Sequence, residues 1–195
     1  MLIWINGAFG AGKTHAAYEL QRRLPNSFVY DPEKAGFFLQ KNIPSSIHAD
    51  DFQDYPMWRT INLSVLEYCL QQYTGPIIVP MTITNKQYYQ EVIGALSQKF
   101  EVKHVILYAR KETILRRLAS RLETPHSWAA KQIDRCIRAF DEDITENRIE
   151  TDDMNICEVV EQIASIAGIT LPEDDRTILQ KFVDRILTKC RHIRL

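Results

Sequence analysis

The segment Leu2-Ile3-Trp4-Ile5-Asn6-Gly7-Ala8-Phe9-Gly10-Ala11-Gly12-Lys13-Thr14 constrains the fold more than any other part of the 195-residue chain. Its first residues form a short apolar run, which predicts a buried strand. Three of the seven glycines then fall between Gly7 and Gly12. Lys13 opens a helical pattern that Pro25 stops. A strand, a glycine-rich turn and a helix in that order leave the turn's backbone N–H groups exposed and convergent. Glycines stand where a side chain would block an approaching anion. The positive end of the helix points at the same place.

The string Gly7 to Thr14 matches GxxxxGK[ST], the phosphate-cradling P-loop. In that motif Gly7, Ala8, Phe9, Gly10, Ala11 and Gly12 wrap phosphates. Lys13 supplies a point charge to the β/γ oxygens, and Thr14 offers a hydroxyl to Mg²⁺. In the empty protein Lys13 is expected to face solvent. The cofactors this predicts are ATP and Mg²⁺.

The rest of the chain alternates strand and helix patterns. Strands are expected at Ser27–Tyr30, Pro76–Val79, Val102–Ala109 and Arg148–Thr151. Helices are expected from Lys13 to about Leu24 and from Pro56 to about Tyr73, and Thr84 or Asn85 can cap one reaching about Phe100. Others run from about Glu112 to Leu122, from Trp128 to Phe140 with Ser127 able to cap it, and from about Glu173 onward, while Asn155 with Glu158 three residues on makes a capping-box-like start to a helix ending at Gly168. Asp31-Pro32 has the form of an N-cap with proline at the first helical position. Gly36 to Asp54 is irregular by pattern. Such alternation implies a parallel sheet covered on both faces, α/β in class and one domain, with segments 36–56 and 123–130 expected to move.

Lys+Arg is 24 and Asp+Glu is 25, a net charge of -1. Bulk-charge binding to nucleic acid is thereby disfavoured, and any anion site must be local. No apolar run approaches a membrane span, and no signal-peptide pattern opens the chain. Cys69, Cys136, Cys157 and Cys190 stand apart from one another and from metal-ligand spacings, as reduced thiols of a cytoplasmic chain would.

Motor and switch ATPases usually end an apolar strand in an acid that holds Mg²⁺. Ile77-Ile78-Val79-Pro80 carries none, and neither does Val105 to Ala109. The strand that ends in an acid is Phe28-Val29-Tyr30-Asp31. This arrangement is similar to the P-loop kinases of small molecules, such as shikimate kinase and the nucleoside-monophosphate kinases. That resemblance implies strand order 2-3-1-4-5 and a role for Asp31 toward metal and acceptor. Arg117-Leu118-Ala119-Ser120-Arg121 resembles their helix leading into a lid, with Arg117 against adenine and Arg121 opening the lid. Arg135 matches the lid arginine that reaches the transferred phosphoryl group. Phosphoryl transfer asks for cations around spreading charge and for exclusion of water, which such a set supplies.

Several further strings are specific: Tyr30-Asp31-Pro32-Glu33-Lys34, Asp50-Asp51-Phe52-Gln53, Val79-Pro80-Met81-Thr82-Ile83, Ser127 through Cys136, and His192-Ile193-Arg194. Together with the first strand and loop they look like the tunicamycin-resistance ATP-binding proteins, essentially end to end. Membership implies ATP binding and resistance to a nucleoside antibiotic. Both phosphorylation of the drug and its sequestration would confer that.

On the acceptor side, Asp31 either orients a hydroxyl or simply caps a helix. Asp51 is the better-placed member of its acidic cluster. Arg59 either clamps an acceptor or lies on a helix surface. Trp58 either stacks on a ring or packs in the core. Thr82, just past the third strand at the carboxyl edge where open parallel sheets bind ligands, either contacts phosphate or acceptor or is a simple loop hydroxyl. Ile178, Leu179, Phe182, Val183, Ile186, Leu187 and Cys190 form an apolar stripe of helical period. The stripe docks on the core in one reading, and meets a membrane or another subunit in the other. Arg191, His192 and Arg194 add a basic end.

Overall fold

The computed structural model describes residues 1–121, 123–124 and 126–192, with side chains through Thr188. Leu122, Pro125, Cys190 and the basic end at Arg191, His192 and Arg194 therefore lie outside the described side chains.

Strand β1 (Leu2–Gly7) is buried along its whole length, as a central parallel strand must be. It lies between β3 (Ile77–Pro80) and β4 (Val102–Tyr108), with Leu2 level with Ile77 on one side and Val102 on the other. Strand β2 (Phe28–Val29) adds outside β3, and β5 (Arg148–Glu150) outside β4. The order is β2-β3-β1-β4-β5, all parallel, as expected.

Alternation along β1 splits the core. Ile3 and Ile5 point to one face, where α1 (Lys13–Arg23) and α8 (Ile156–Ala167) contribute Ala16, Leu20, Val160 and Ile163. Leu2 and Trp4 point to the other, against α2 (Glu33–Asn42), α3 (Pro56–Gln72) and α4 (86–97). Within α4 a π-helical turn, Gln90–Gly94, interrupts the α-helical turns Lys86–Tyr89 and Ala95–Ser97. Under Ile106, α5 (Lys111–Ala119) and α7 (Ile133–Glu142) close a third cluster around Phe140. A short α6 (Trp128–Lys131), capped by the Ser127 hydroxyl, precedes α7. Ser127 caps as expected, but the expected single helix breaks at Gln132.

Two expectations are corrected. Gly36 to Asp54 is not irregular throughout: residues up to Asn42 continue α2, and two 3₁₀ turns follow, Ser45–Ile47 and Phe52–Asp54. Gly36 sits inside α2 because Phe52 packs on it; a Cβ there would lie 2.4 Å from the Phe52 ring.

The last helix, α9 (Ile178–His192), begins later than expected and does not bury its stripe. Ile178 is 86% exposed, Leu179 71% and Phe182 56%. Its polar side faces α1 instead. Arg22 donates to the Asp184 carbonyl (3.1 Å) and pairs with the Thr188 hydroxyl, and Arg176 pairs with the buried Glu19. Arg176 also bonds Asp184 at 2.8 Å. Among the described residues, no helix is long and apolar enough to cross a membrane.

Candidate active site

The turn after β1 takes its shape from its glycines. Gly7 has φ +141°, and a Cβ on it would lie 2.5 Å from the Leu107 carbonyl oxygen. Asn6 braces the entry: its Oδ1 accepts from the N–H groups of Gly7 and Ile83. Thr82 is buried and its hydroxyl donates to the Gly7 carbonyl at 2.8 Å. From the sequence Thr82 either meets phosphate or acceptor or is a simple loop hydroxyl; here its hydroxyl joins the β3 edge to the loop.

Helix α1 starts at Gly12 with no side-chain cap. Its first-turn N–H groups are thus left to whatever anion the loop holds. Lys13 is half-buried rather than solvent-facing, and its Nζ donates to the carbonyls of Gly7 and Ala8 at 3.0 Å each. Burial pushes its pKa down to about 8; nearby Cys136 and Glu33 oppose the shift, and Arg121 adds to it. The reason the expectation fails is that a loop of converging N–H groups has its carbonyls on the reverse side, and a lysine can satisfy them.

Three cavities adjoin this loop in a row. The middle one, about 150 Å³, is lined by Gly10, Gly12, Lys13, Thr14, Glu33 and Arg121. On one side, a cavity of about 260 Å³ shares Gly10, Gly12 and Arg121 and adds Arg117, Thr151, Met154 and Arg185. On the other side, a cavity of about 310 Å³ shares Phe9 and Glu33 and adds Phe37, Phe52, Trp128 and Asp51.

Arg117 is anchored by the Thr151 carbonyl at 2.6 Å and its hydroxyl at 3.1 Å, and also donates to Ala11 O at 3.3 Å. Burial lowers the pKa of Arg117 and of Arg121. Both guanidiniums are therefore partly desolvated and strengthened as partners for an anion.

Asp31 acts as a cap: its Oδ1 accepts the Glu33 N–H at 3.0 Å. Glu33, two residues on, is the acid that lines both the middle and the outer cavity. Sequence reasoning passed over it for the strand-end acid, although its place in the first turn of α2 was the available signal. Asp51 is buried; its Oδ1 accepts from the Gln53 N–H at 3.0 Å and its Oδ2 meets Arg135 at 3.3 Å. Lid-side and acceptor-side residues 84 apart in sequence are thus joined.

Arg59 is neither a free surface arginine nor open to a ligand in this conformation. It is buried, pairs with Glu91, donates to the Gln53 carbonyl at 2.5 Å, and stacks on Tyr88. Trp58 is fully buried, its indole donating to the Pro32 carbonyl, so it packs in the core. Phe9 and Trp128, which meet edge to face at 5.0 Å, went unnoticed as aromatic walls.

The donor set fits the implied group. An uncapped helix start, a lysine and two desolvated arginines suit phosphates. Thr14, a hard oxygen donor on the middle cavity, suits Mg²⁺ better than a softer metal.

Residues 2–142 match the AAA domain family, and with its five parallel strands the chain is a kinase-like member of the P-loop proteins. No curated protein sequence matches it. Among solved structures, the tunicamycin resistance protein of Deinococcus radiodurans is 35% identical, covering 89% of this chain and 98% of that one, with TM-score 0.76. The chain belongs to the tunicamycin-resistance family. A shikimate kinase from Bacteroides thetaiotaomicron (15% identical, 87% and 99% covered, TM-score 0.60) and the APS kinase of Mycobacterium tuberculosis (15%, 86% and 96%, 0.58) share the fold.

Proposed function

We propose that this protein transfers the γ-phosphoryl group of Mg·ATP to a hydroxyl of an uncharged small molecule, a nucleoside antibiotic of the tunicamycin kind. The observation that carries the reading is the row of three adjoining cavities, with a phosphate-type loop at its centre. Base, phosphates and acceptor would occupy them in that order.

ATP with Mg²⁺ supplies an activated phosphoryl group; the chain's own residues position and shield it. Lys13 leaves its two carbonyl partners for the β/γ oxygens. Thr14 offers its hydroxyl to Mg²⁺. Arg117 holds the base end. Asp31, by capping α2, fixes Glu33 beside the phosphate cavity, where its carboxylate accepts the acceptor's hydroxyl proton. Arg121 and Arg135 close on the charge that spreads during transfer, Arg135 exchanging Asp51 for phosphoryl oxygens.

The aromatic walls Phe9, Phe37, Phe52 and Trp128 suit a flat ring or an acyl chain. Glu33, Asp50 and Asp51 line that cavity with no cation among its lining residues, which favours an acceptor without negative charge. Asp51, once released, and Thr82's neighbourhood bound the acceptor's polar edge, while Arg59 supports the wall from behind.

A second reading, ATP-dependent sequestration of the drug without modification, draws on the exposed stripe of α9. That face would lie on a membrane while the outer cavity holds the ligand. Mass spectrometry of tunicamycin incubated with protein and Mg·ATP separates the two. A product heavier by one phosphoryl group supports transfer; bound but unmodified drug supports sequestration.

A further inference from the structure

The family match ends at residue 142, yet the cavity on the base side of the loop receives a side chain from far beyond it. Arg185, on α9, lines that cavity with Arg117 and Arg121, and no acid contributes to its lining. Among the described residues, none of these three arginines is held in an ion pair with a carboxylate. Arg22, Arg59, Arg135 and Arg176 all are. The Nε of Arg185 bonds only weakly within its own helix, to the Lys181 carbonyl at 3.3 Å. Its neighbour Asp184 ties α9 to Arg22 and Arg176, and Thr188 one turn on also bonds Arg22. Arg22 in turn lies in the last turn of α1, the helix that opens at Lys13. The last helix is therefore anchored to the P-loop helix at Asp184 and Thr188, and Arg185 between them reaches the loop's cavity.

We propose that Arg185 binds the nucleotide from its base and ribose side, so that occupancy of the site and seating of α9 on α1 are thermodynamically linked. This rests on reading the cavity of about 260 Å³ as the base site. A planar guanidinium facing a desolvated base or ribose offers forked donors to ring nitrogens and hydroxyls, and a face for stacking. Linkage follows by reciprocity. A nucleotide that gains a contact only when α9 is seated must seat α9 more firmly when bound. Because the apolar stripe of α9 faces outward, whatever engages that stripe would then sense nucleotide.

Calorimetry with Mg·ADP and with inorganic tripolyphosphate tests this on the full chain. Arg185→Ala should weaken Mg·ADP about tenfold, the scale of one charge-assisted hydrogen bond. It should change tripolyphosphate binding by less than about threefold, since Arg185 lies away from the phosphate cavity. Phe182→Ala, on the outward face, should change neither. Amide hydrogen exchange over 178–188 should slow on adding Mg·ADP in the wild type and not in Arg185→Ala. Wild-type Mg·ADP affinity in Arg185→Ala, or an equal loss of tripolyphosphate, overturns the proposal. If Lys13→Ala also leaves Mg·ADP binding intact, the nucleotide reading of the loop fails as well, which is a separate result.

Discussion

Helices α8 and α9 carry equally clear apolar stripes, yet they use them in opposite ways. In α8, Val159, Val160, Ile163 and Ala167 are buried under β1 and β4, and the helix is closed by an Asn155–Glu158 capping box and a left-handed Gly168. In α9, the apolar side chains Ile178, Leu179, Phe182, Val183, Ile186 and Leu187 face outward, and ion pairs of the opposite side hold the helix to α1. Periodicity shows that a helix has two faces. It does not show which face meets the body, because that depends on whether a neighbour offers an apolar groove or charges.

The contrast can be broken by substitution. Ile163→Ala should cost about 2–5 kcal/mol, because it removes apolar volume from a closed core. Ile186→Ala, on the exposed stripe of α9, should change stability by less than about 0.5 kcal/mol. Paired denaturation curves check this. Similar losses at both sites would mean that the α9 stripe is covered.

A chain ending after Thr177 should lose only about 1 kcal/mol, since it gives up partly exposed ion pairs and no core. Thermal melts measure it, and a loss of several kcal/mol would contradict polar docking.

The smallest effect is one of pH. Hydrogen bonding to Arg176 holds the Asp174 carboxyl well below the usual carboxylate range, with Lys181 helping and burial opposing. A depressed folded-state pKa contributes stability that is full above the unfolded value near 4 and is lost as pH falls below it. Hydrogen exchange in α9 should therefore quicken below about pH 4 before it does in α8. Parallel quickening of the two helices would detach Asp174 from the anchor.

Much of the fold was legible because its signals are local. The strand–turn–helix at Leu2 to Thr14 and the alternation that follows pointed to a parallel sheet covered on both faces, and the resemblance to small-molecule P-loop kinases supplied the order in which its five strands lie. The capping roles of Asn85, Ser127 and Asn155 depend on residues two or three away, and each was readable. What escaped is long-range. Gly36 is set by Phe52, Arg59 is taken up by Glu91, and Arg135 finds Asp51. Glu33 escaped for another reason: a rule that looks for an acid at a strand's end stops at Asp31, while the first turn of α2 aims the following acid at the loop.

The central claim is that the row of cavities works as one phosphotransfer site, with Arg135 moving from Asp51 onto the reacting phosphoryl group. Single-turnover transfer to tunicamycin from Mg·ATP, measured for the wild type and for Arg135→Ala, tests it most directly. A lid arginine acts on charge that develops in the transition state, so the variant should be slower by about 10³ or more. Its ATP affinity should change by less than about tenfold. A wild-type rate in Arg135→Ala would leave that arginine as a surface partner of Asp51 and contradict the account.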